Sequence, residues 1–307
     1  MDNINQLAPL VRIAFHDLAN YNPPTGGPHG CIASPPVSLF NQNSGLTSHL
    51  HQLLQYLDNT TTMVFPLGDV LSMAGKVAVE MAYPCIQIRW RYGRSPCKMG
   101  ELPLAPVHIT SSQQLDPFLN RYGLTRIEMA VLIAGTHGLK NAKSIHGVFG
   151  YGDGVAWIRD TLGLEWKLQS SAGVIWYNSW NGFDNLIRLP SDMMFFPRVL
   201  RTRPIDYPFL DIELGLKELG KNPPSFYADF ERVFAKMLEI GVANDSMVEL
   251  IEEKRVGICL NGIVQVKEDN TTLTENEQPV VSTTSPIPNS SQTNFSLIFY
   301  LCLFYLI

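Results

Sequence analysis

The sequence predicts an all-α protein, and three observations carry that expectation. Apolar residues recur at helical spacing over several long segments, alternation with a period of two is almost absent, and stretches rich in Pro and Gly separate the segments. The first helix is expected over residues 6–20, where Leu10, Val11, Ile13, Ala14 and Phe15 form an apolar run. In "SGLTSHLHQLLQYL", Leu46, Leu50, Leu53, Leu54 and Leu57 repeat the pattern, and residues 67–82 do so through Val70, Leu71, Ala74, Val77, Ala78 and Met81. Thr125 and Glu128 form a capping box ahead of "IEMAVLIAGTHGL". A further helix is expected to start near Ser191, and a long one to cover Ser225 to Ile240. Loops are expected at 22–36, 95–106 and 147–154.

A chain of 307 residues that is 45% hydrophobic can build a large core in one or two domains. Net charge is −5 with no basic block, so no nucleic-acid partner is expected. The expected organisation is a globular body over 1–260, a disordered polar linker over 261–294, and a hydrophobic tail over 295–307. That tail is shorter than the roughly 20 residues of a spanning helix. A polar spacer before a short apolar end is the pattern of a GPI signal, with Ser282 to Ser285 as attachment sites; a short anchor is the alternative. Sequons at Asn59, Asn244, Asn270, Asn289 and Asn294 fit secretion. Cys31, Cys85, Cys97 and Cys259 allow two disulfides in three connectivities, with Cys302 in the tail, and no C-x-x-C spacing points to zinc. Met1 is followed by "DNINQLAPL", which is no signal peptide. Two locations therefore stay open: secreted or cell-surface if the true start is missing, cytoplasmic if Met1 is genuine.

Polar intrusions in apolar helices mark the candidate site. Arg12 and His16 stand four apart, so they share one helix face in the first apolar segment. His137 closes the apolar run "MAVLIAGTHGL", and Asp192 precedes a run of Met and Phe. A buried aspartate needs a partner, and an imidazole N–H is a common one. The set suggests a metal ligand oriented by a carboxylate, facing an acid/base pair across a cavity. No second ligand cluster completes a zinc or non-haem iron site, whereas haem brings four nitrogens and asks for one axial histidine.

These segments resemble the plant, fungal and bacterial haem peroxidase superfamily from about residue 7 to 240. "LVRIAFHD" is similar to its distal motif R-x-x-F/W-H, and "LIAGTHGL" to the proximal S-G-A-H-T. "LGDVLSMAGKVAVEMAYPCIQIRWRYGR" and "TGGPHGCI" resemble class I patterns, those of ascorbate and cytochrome c peroxidases. The resemblance implies two helical lobes sandwiching haem b, with little β structure. It implies that His137 is the axial iron ligand and that Asp192 accepts its Nδ1–H. His16 would be the general base, Arg12 the stabiliser of charge as the O–O bond breaks, and Asn43 the acceptor that orients His16. Phe15 would lie over the haem, and Trp176 against the proximal pair, where class I enzymes hold a tryptophan able to share the oxidising equivalent. The relatives also carry a helix before the distal one, so the first helix is expected to be missing here.

Departures from the pattern matter for partners. Asp17 follows the distal histidine as in secreted classes, where that aspartate binds calcium. His29 and Cys31 occupy later ligand positions, so the calcium site is expected to be lost and Asp17 to pair with a neighbouring cation. Gly138 replaces threonine after the proximal histidine, and His146 stands where ascorbate peroxidases carry a substrate arginine. The implied function is a monomeric peroxidase that reduces hydrogen peroxide through a ferryl intermediate and oxidises a small-molecule reductant. The alternative is a haem-binding or sensory homologue with weak turnover or none.

Overall fold

The computed structural model describes residues 7–19, 27–34, 45–59, 65–98, 112–139, 152–169, 175–178, 186–196, 209–242 and 246–252. Shorter described pieces are 21, 43, 143–144, 147–148, 150, 199, 257–260 and 263–266, and every structural statement below concerns these residues. The helices are α1 Leu7–Leu18, α2 Thr47–Asn59, α3 Leu67–Ala82, α4 Ser112–Tyr122, α5 Arg126–His137, α6 Gly154–Gly163, the single turn α7 Pro190–Met193, α8 Leu210–Lys221 and α9 Pro223–Leu238. They form two groups: α1 packs on α2 and α3, while α5, α6, α8 and α9 pack on one another, and α1 also meets α9. The all-α expectation holds, and α4, α6 and α8 join the helices named from periodicity.

Between α1 and α3 the approach is close. A Cβ on Gly75 would stand 2.6 Å from the Ala14 Cβ, so glycine lets the two helices touch two residues before His16. Helix α3 is buried all round from Gly68 to Glu80, and its polar side chains are accordingly partnered. Asp69 meets Arg94 at 2.7 Å, Lys76 meets Glu80 at 2.8 Å and Glu252 at 3.0 Å, and Ser72 accepts the Trp90 indole N–H at 3.0 Å. Arg94 also donates to the Leu238 carbonyl at 2.8 Å, tying this region to the end of α9.

In the second group, Phe226, Phe230 and Phe234 line one face of α9 and are fully buried. A Cβ on Gly135 of α5 would collide with the Phe230 ring, so these helices also close on a glycine. The capping box forms as expected: Thr125 N–H donates to Glu128 at 2.8 Å, and the Glu128 N–H donates to Thr125 Oγ1 at 3.2 Å. Glu128 additionally receives Arg232 at 2.9 Å and Lys236 at 3.0 Å from α9. Burial would raise its pKa, but the Thr125 N–H and the two cations hold it at about 2.

The strands are β1 Arg91–Tyr92, β2 Lys143–Ser144, β3 Gly147–Val148, β4 Lys167–Gln169, β5 Ile175–Asn178, β6 Leu186–Arg188, β7 Val248–Glu249, β8 Gly257–Leu260 and β9 Ile263–Val266. Five form one sheet in the order β2-β3-β6-β5-β4, next to α7. Strands of two to four residues are too short to display alternation, which is why the sequence reads as wholly helical there. The antiparallel ladder of β8 on β9 carries regular structure past residue 260, into the segment expected to be a linker. "IVQV" there is rich in β-branched residues, a local preference that the polar composition of the longer segment masks. The rest of 267–307, with the candidate anchor, lies outside the described residues. Among the described residues, no helix is long and apolar enough to cross a membrane. Cys31 is bonded to Cys97, one of the pairings the sequence left open, and Cys85 is also disulfide-bonded.

Two outcomes test this packing. Gly75→Ala is expected to lower unfolding stability by about 1–3 kcal/mol through overpacking against Ala14, read from urea denaturation. Glu128→Gln is expected to lower the urea midpoint at neutral pH. Because the folded pKa lies below the ordinary 4.5, the native advantage is present above 4.5 and fades as pH falls toward 2. The gap between the two proteins should close over that window.

Candidate active site

Helix α1 presents one polar edge while Val11, Ile13, Ala14 and Leu18 are buried against its neighbours. His16 is buried, and its Nδ1 lies 2.8 Å from Asn43 Oδ1, just ahead of α2. With the amide oxygen as acceptor, the ring proton sits on Nδ1, and Nε2 is the basic nitrogen. Arg12, one turn back on the same face, is exposed to solvent, yet desolvation lowers its pKa. Phe15 is half-buried, its ring edge-on to His16 at 6.0 Å.

Asp17 is turned away from solvent. Its Oδ2 accepts the Gly30 N–H at 2.8 Å and its Oδ1 the Ile32 N–H at 3.0 Å. Burial pushes its pKa up to about 6, against those N–H donors and the nearby charge of Arg94. These two backbone bonds pin α1 to the 3₁₀ turn Cys31–Ala33, and the charge of Arg94 acts on the same carboxylate. His29 and Cys31 are both part of that same packed segment.

The second polar pair forms at the end of α5. His137 closes the helix, and its Nδ1 lies 2.9 Å from Asp192 Oδ1. Asp192 is completely buried, and its other oxygen accepts the Leu189 N–H at 2.8 Å, so both oxygens have donors. The His137 side chain is 29% exposed, so the ring is partly accessible beside its buried partner. Pro190 starts α7 and sets the turn that swings Asp192 toward α5. Trp176 lies on β5, in register with Leu168 on one side and Arg188 on the other, and this strand packs against α7. His146 lies outside the described residues.

Two arginines in this region escape a reading by motif. Arg188, four residues before Asp192, is fully buried between the Trp157 and Trp166 rings at 4.4 and 4.8 Å. It donates to Thr161 Oγ1 at 2.7 Å and to the Trp157 carbonyl at 3.2 Å, so it fastens β6 to α6. Arg94 belongs to the quoted class I-like stretch, but its buried pairing with Asp69 depends on distant residues meeting.

The donor set is a single oriented imidazole. Among the described residues, no group of three or more His, Cys, Asp or Glu could hold a metal ion by itself. This fits haem, which needs one axial histidine whose far nitrogen is held by a carboxylate. A family model described as "Peroxidase" matches residues 1–156, half of the chain, and the chain belongs to that haem peroxidase family. Over 262 residues it is 28% identical to a protein of Debaryomyces hansenii named as a heme-binding peroxidase, covering 77% of this chain and 55% of that one. Over 252 residues it is 27% identical to a mitochondrial cytochrome c peroxidase of Candida glabrata, covering 76% of this chain and 64% of that one. The chain thus spans less than two thirds of either relative.

Asp192→Ala should leave His137 without its acceptor and weaken haem binding by roughly 10–100-fold, the usual cost of losing such a partner. Titration of haem into the protein, followed at the Soret band, measures it.

Proposed function

We propose that this chain is a haem-dependent peroxidase that holds haem b on His137, reduces hydrogen peroxide and oxidises a small-molecule donor. The observation that carries the reading is the pairing of two imidazoles with two different partners. His137 is set by a buried carboxylate, which makes it a strong electron donor; His16 is set by a neutral amide, which leaves it a base. The bound haem supplies the electrons that cleave the peroxide bond and holds the oxidising equivalents for the donor. His16 Nε2 takes the proton from the first peroxide oxygen and hands it to the departing one. Arg12, one helical turn from His16 on the same face, stabilises the negative charge that builds on that oxygen. Phe15 lies edge-on beside His16, and Trp176 contributes from the strand next to α7.

The mitochondrial cytochrome c peroxidase among the relatives makes a protein donor the competing choice. The Cys31–Cys97 disulfide supports an oxidising compartment, in keeping with a secreted or surface location. Asp17, already satisfied by two N–H donors, serves as a strut for α1 and needs no calcium in that role.

His16→Ala is the test. Stopped-flow mixing of the haem-loaded protein with peroxide should show the Soret change slowed by roughly 10²–10⁴, the value of a positioned acid/base. A variant as fast as the parent rules out this assignment. A parent that binds haem but reacts with peroxide only as slowly as its variant is a haem-binding protein without the enzyme's chemistry.

A further inference from the structure

Away from the two histidines, a phenol is seated on a carboxylate. Tyr227 of α9 donates its hydroxyl hydrogen to Oδ1 of Asp153 at 2.8 Å. The same oxygen accepts the Val155 N–H at 2.8 Å and caps α6. Asp153 sits directly against the last turn of α5. The Gly152 N–H donates to the Gly138 carbonyl at 2.8 Å, and a Cβ on Gly138 would stand 2.6 Å from Gly154 Cα. Gly152 and Gly154, the neighbours of Asp153 in sequence, therefore lie on the backbone of the turn that ends in His137. A second phenol approaches the same turn: Tyr83 donates to the Gly135 carbonyl at 2.7 Å, and its ring lies 5.8 Å from that of Tyr227.

The two phenols differ in what receives their proton. Removing an electron from a buried phenol creates a positive charge in an apolar surrounding, which is costly unless the proton leaves with it. A carboxylate within hydrogen-bond reach is a base that can take the proton. A peptide carbonyl is not. Tyr227 meets the requirement and Tyr83 does not. Tyr227 is 7% exposed, so its ring is shielded from other molecules, while half-buried Asp153 can exchange its proton with water.

We propose that Tyr227 is a redox-active residue of this chain, giving one electron toward the haem on His137 and its phenolic proton to Asp153. The inference rests on the peroxidase reading above. The O–H bond of Tyr227 breaks, the proton bonds to Asp153 Oδ1, and a neutral phenoxyl radical remains. The electron from Tyr227 would answer one of the two oxidising equivalents that a molecule of hydrogen peroxide, the oxidant, would leave at a haem held by His137. An external one-electron donor then restores the phenol, with the proton returning from Asp153.

The test uses the full haem-loaded chain, mixed with one equivalent of hydrogen peroxide, frozen rapidly and read by electron paramagnetic resonance beside the Soret band. An organic radical is expected whose signal narrows when tyrosine rings are deuterated. It should vanish in Tyr227→Phe and persist in Tyr83→Phe. Asp153→Asn keeps the helix cap, because Asn caps as well as Asp, and still accepts the phenol, but it cannot take the proton. Its radical should form roughly 10²-fold more slowly at unchanged thermal stability. That loss of rate without loss of stability separates a proton acceptor from a structural cap. A Soret change with no tyrosine radical, a deuteration-sensitive tyrosine radical that survives Tyr227→Phe, or one lost in Tyr83→Phe overturns this proposal and leaves the peroxidase reading standing. A Soret band that peroxide leaves unchanged overturns both.

Discussion

A carboxylate with no access to water must be shared among donors, and the site is organised around that constraint at Asp192. Its two oxygens are divided between the imidazole of His137 and the N–H of Leu189. The second bond fixes the carboxylate on the α7 turn; the first fixes the ring. Moving either group would leave a buried carboxylate oxygen without its donor, which is costly. The surrounding structure serves this pair. The capping box starts α5 at a defined residue, and Gly135 brings that helix onto Phe230. Arg188 holds β6 to α6 just ahead of the turn. Error in any of these would appear as displacement of a ring by a fraction of its hydrogen-bond length.

The other side of the site is built with a different chemistry. His16 faces an amide, which withholds the negative charge that would keep a proton on the ring. Its helix is positioned by contact with α3 at Gly75 and by Asp17, whose carboxylate grips the turn at 30–32. Asp17 is stabilised by backbone donors but resists ionisation because it is buried. Charges buried under this side come in pairs, Asp69 with Arg94 and Lys76 with Glu80 and Glu252. Such pairs are weak evidence for stability, since desolvation offsets much of the attraction. Their value here is geometric: Arg94 joins α3 to the end of α9, and so joins the two groups of helices.

Most of the long helices were legible in the sequence because each has an apolar stripe at helical spacing. Residues 67–82 match to the residue, and the start of α5 was marked by Thr125 and Glu128. The short α7 and the small sheet were less legible, since two to four residues carry no measurable period. Among site residues, Arg12 with His16 could be paired by spacing alone. The meeting of His16 with Asn43 came from the family resemblance, while that of His137 with Asp192 was suggested by polar intrusions in apolar segments and then implied by the resemblance, because both join remote segments. Arg188, and Tyr227 with Asp153, had no such guide, and the quoted stretch that contains Asp69 and Arg94 did not name their pairing. Each is an ordinary residue whose partner is chosen by tertiary packing.

The cross-link between Cys31 and Cys97 closes a loop of 66 residues that contains α2 and α3. Its main effect is on the unfolded chain, which loses the conformations in which those ends drift apart. On a chain-entropy estimate this removes about 4 kcal/mol of disorder from the competing ensemble. The two helices that seat the distal helix are therefore kept in place partly by a covalent tether that makes no contact with the chemistry. In a reducing environment the same contacts would have to hold a much freer chain.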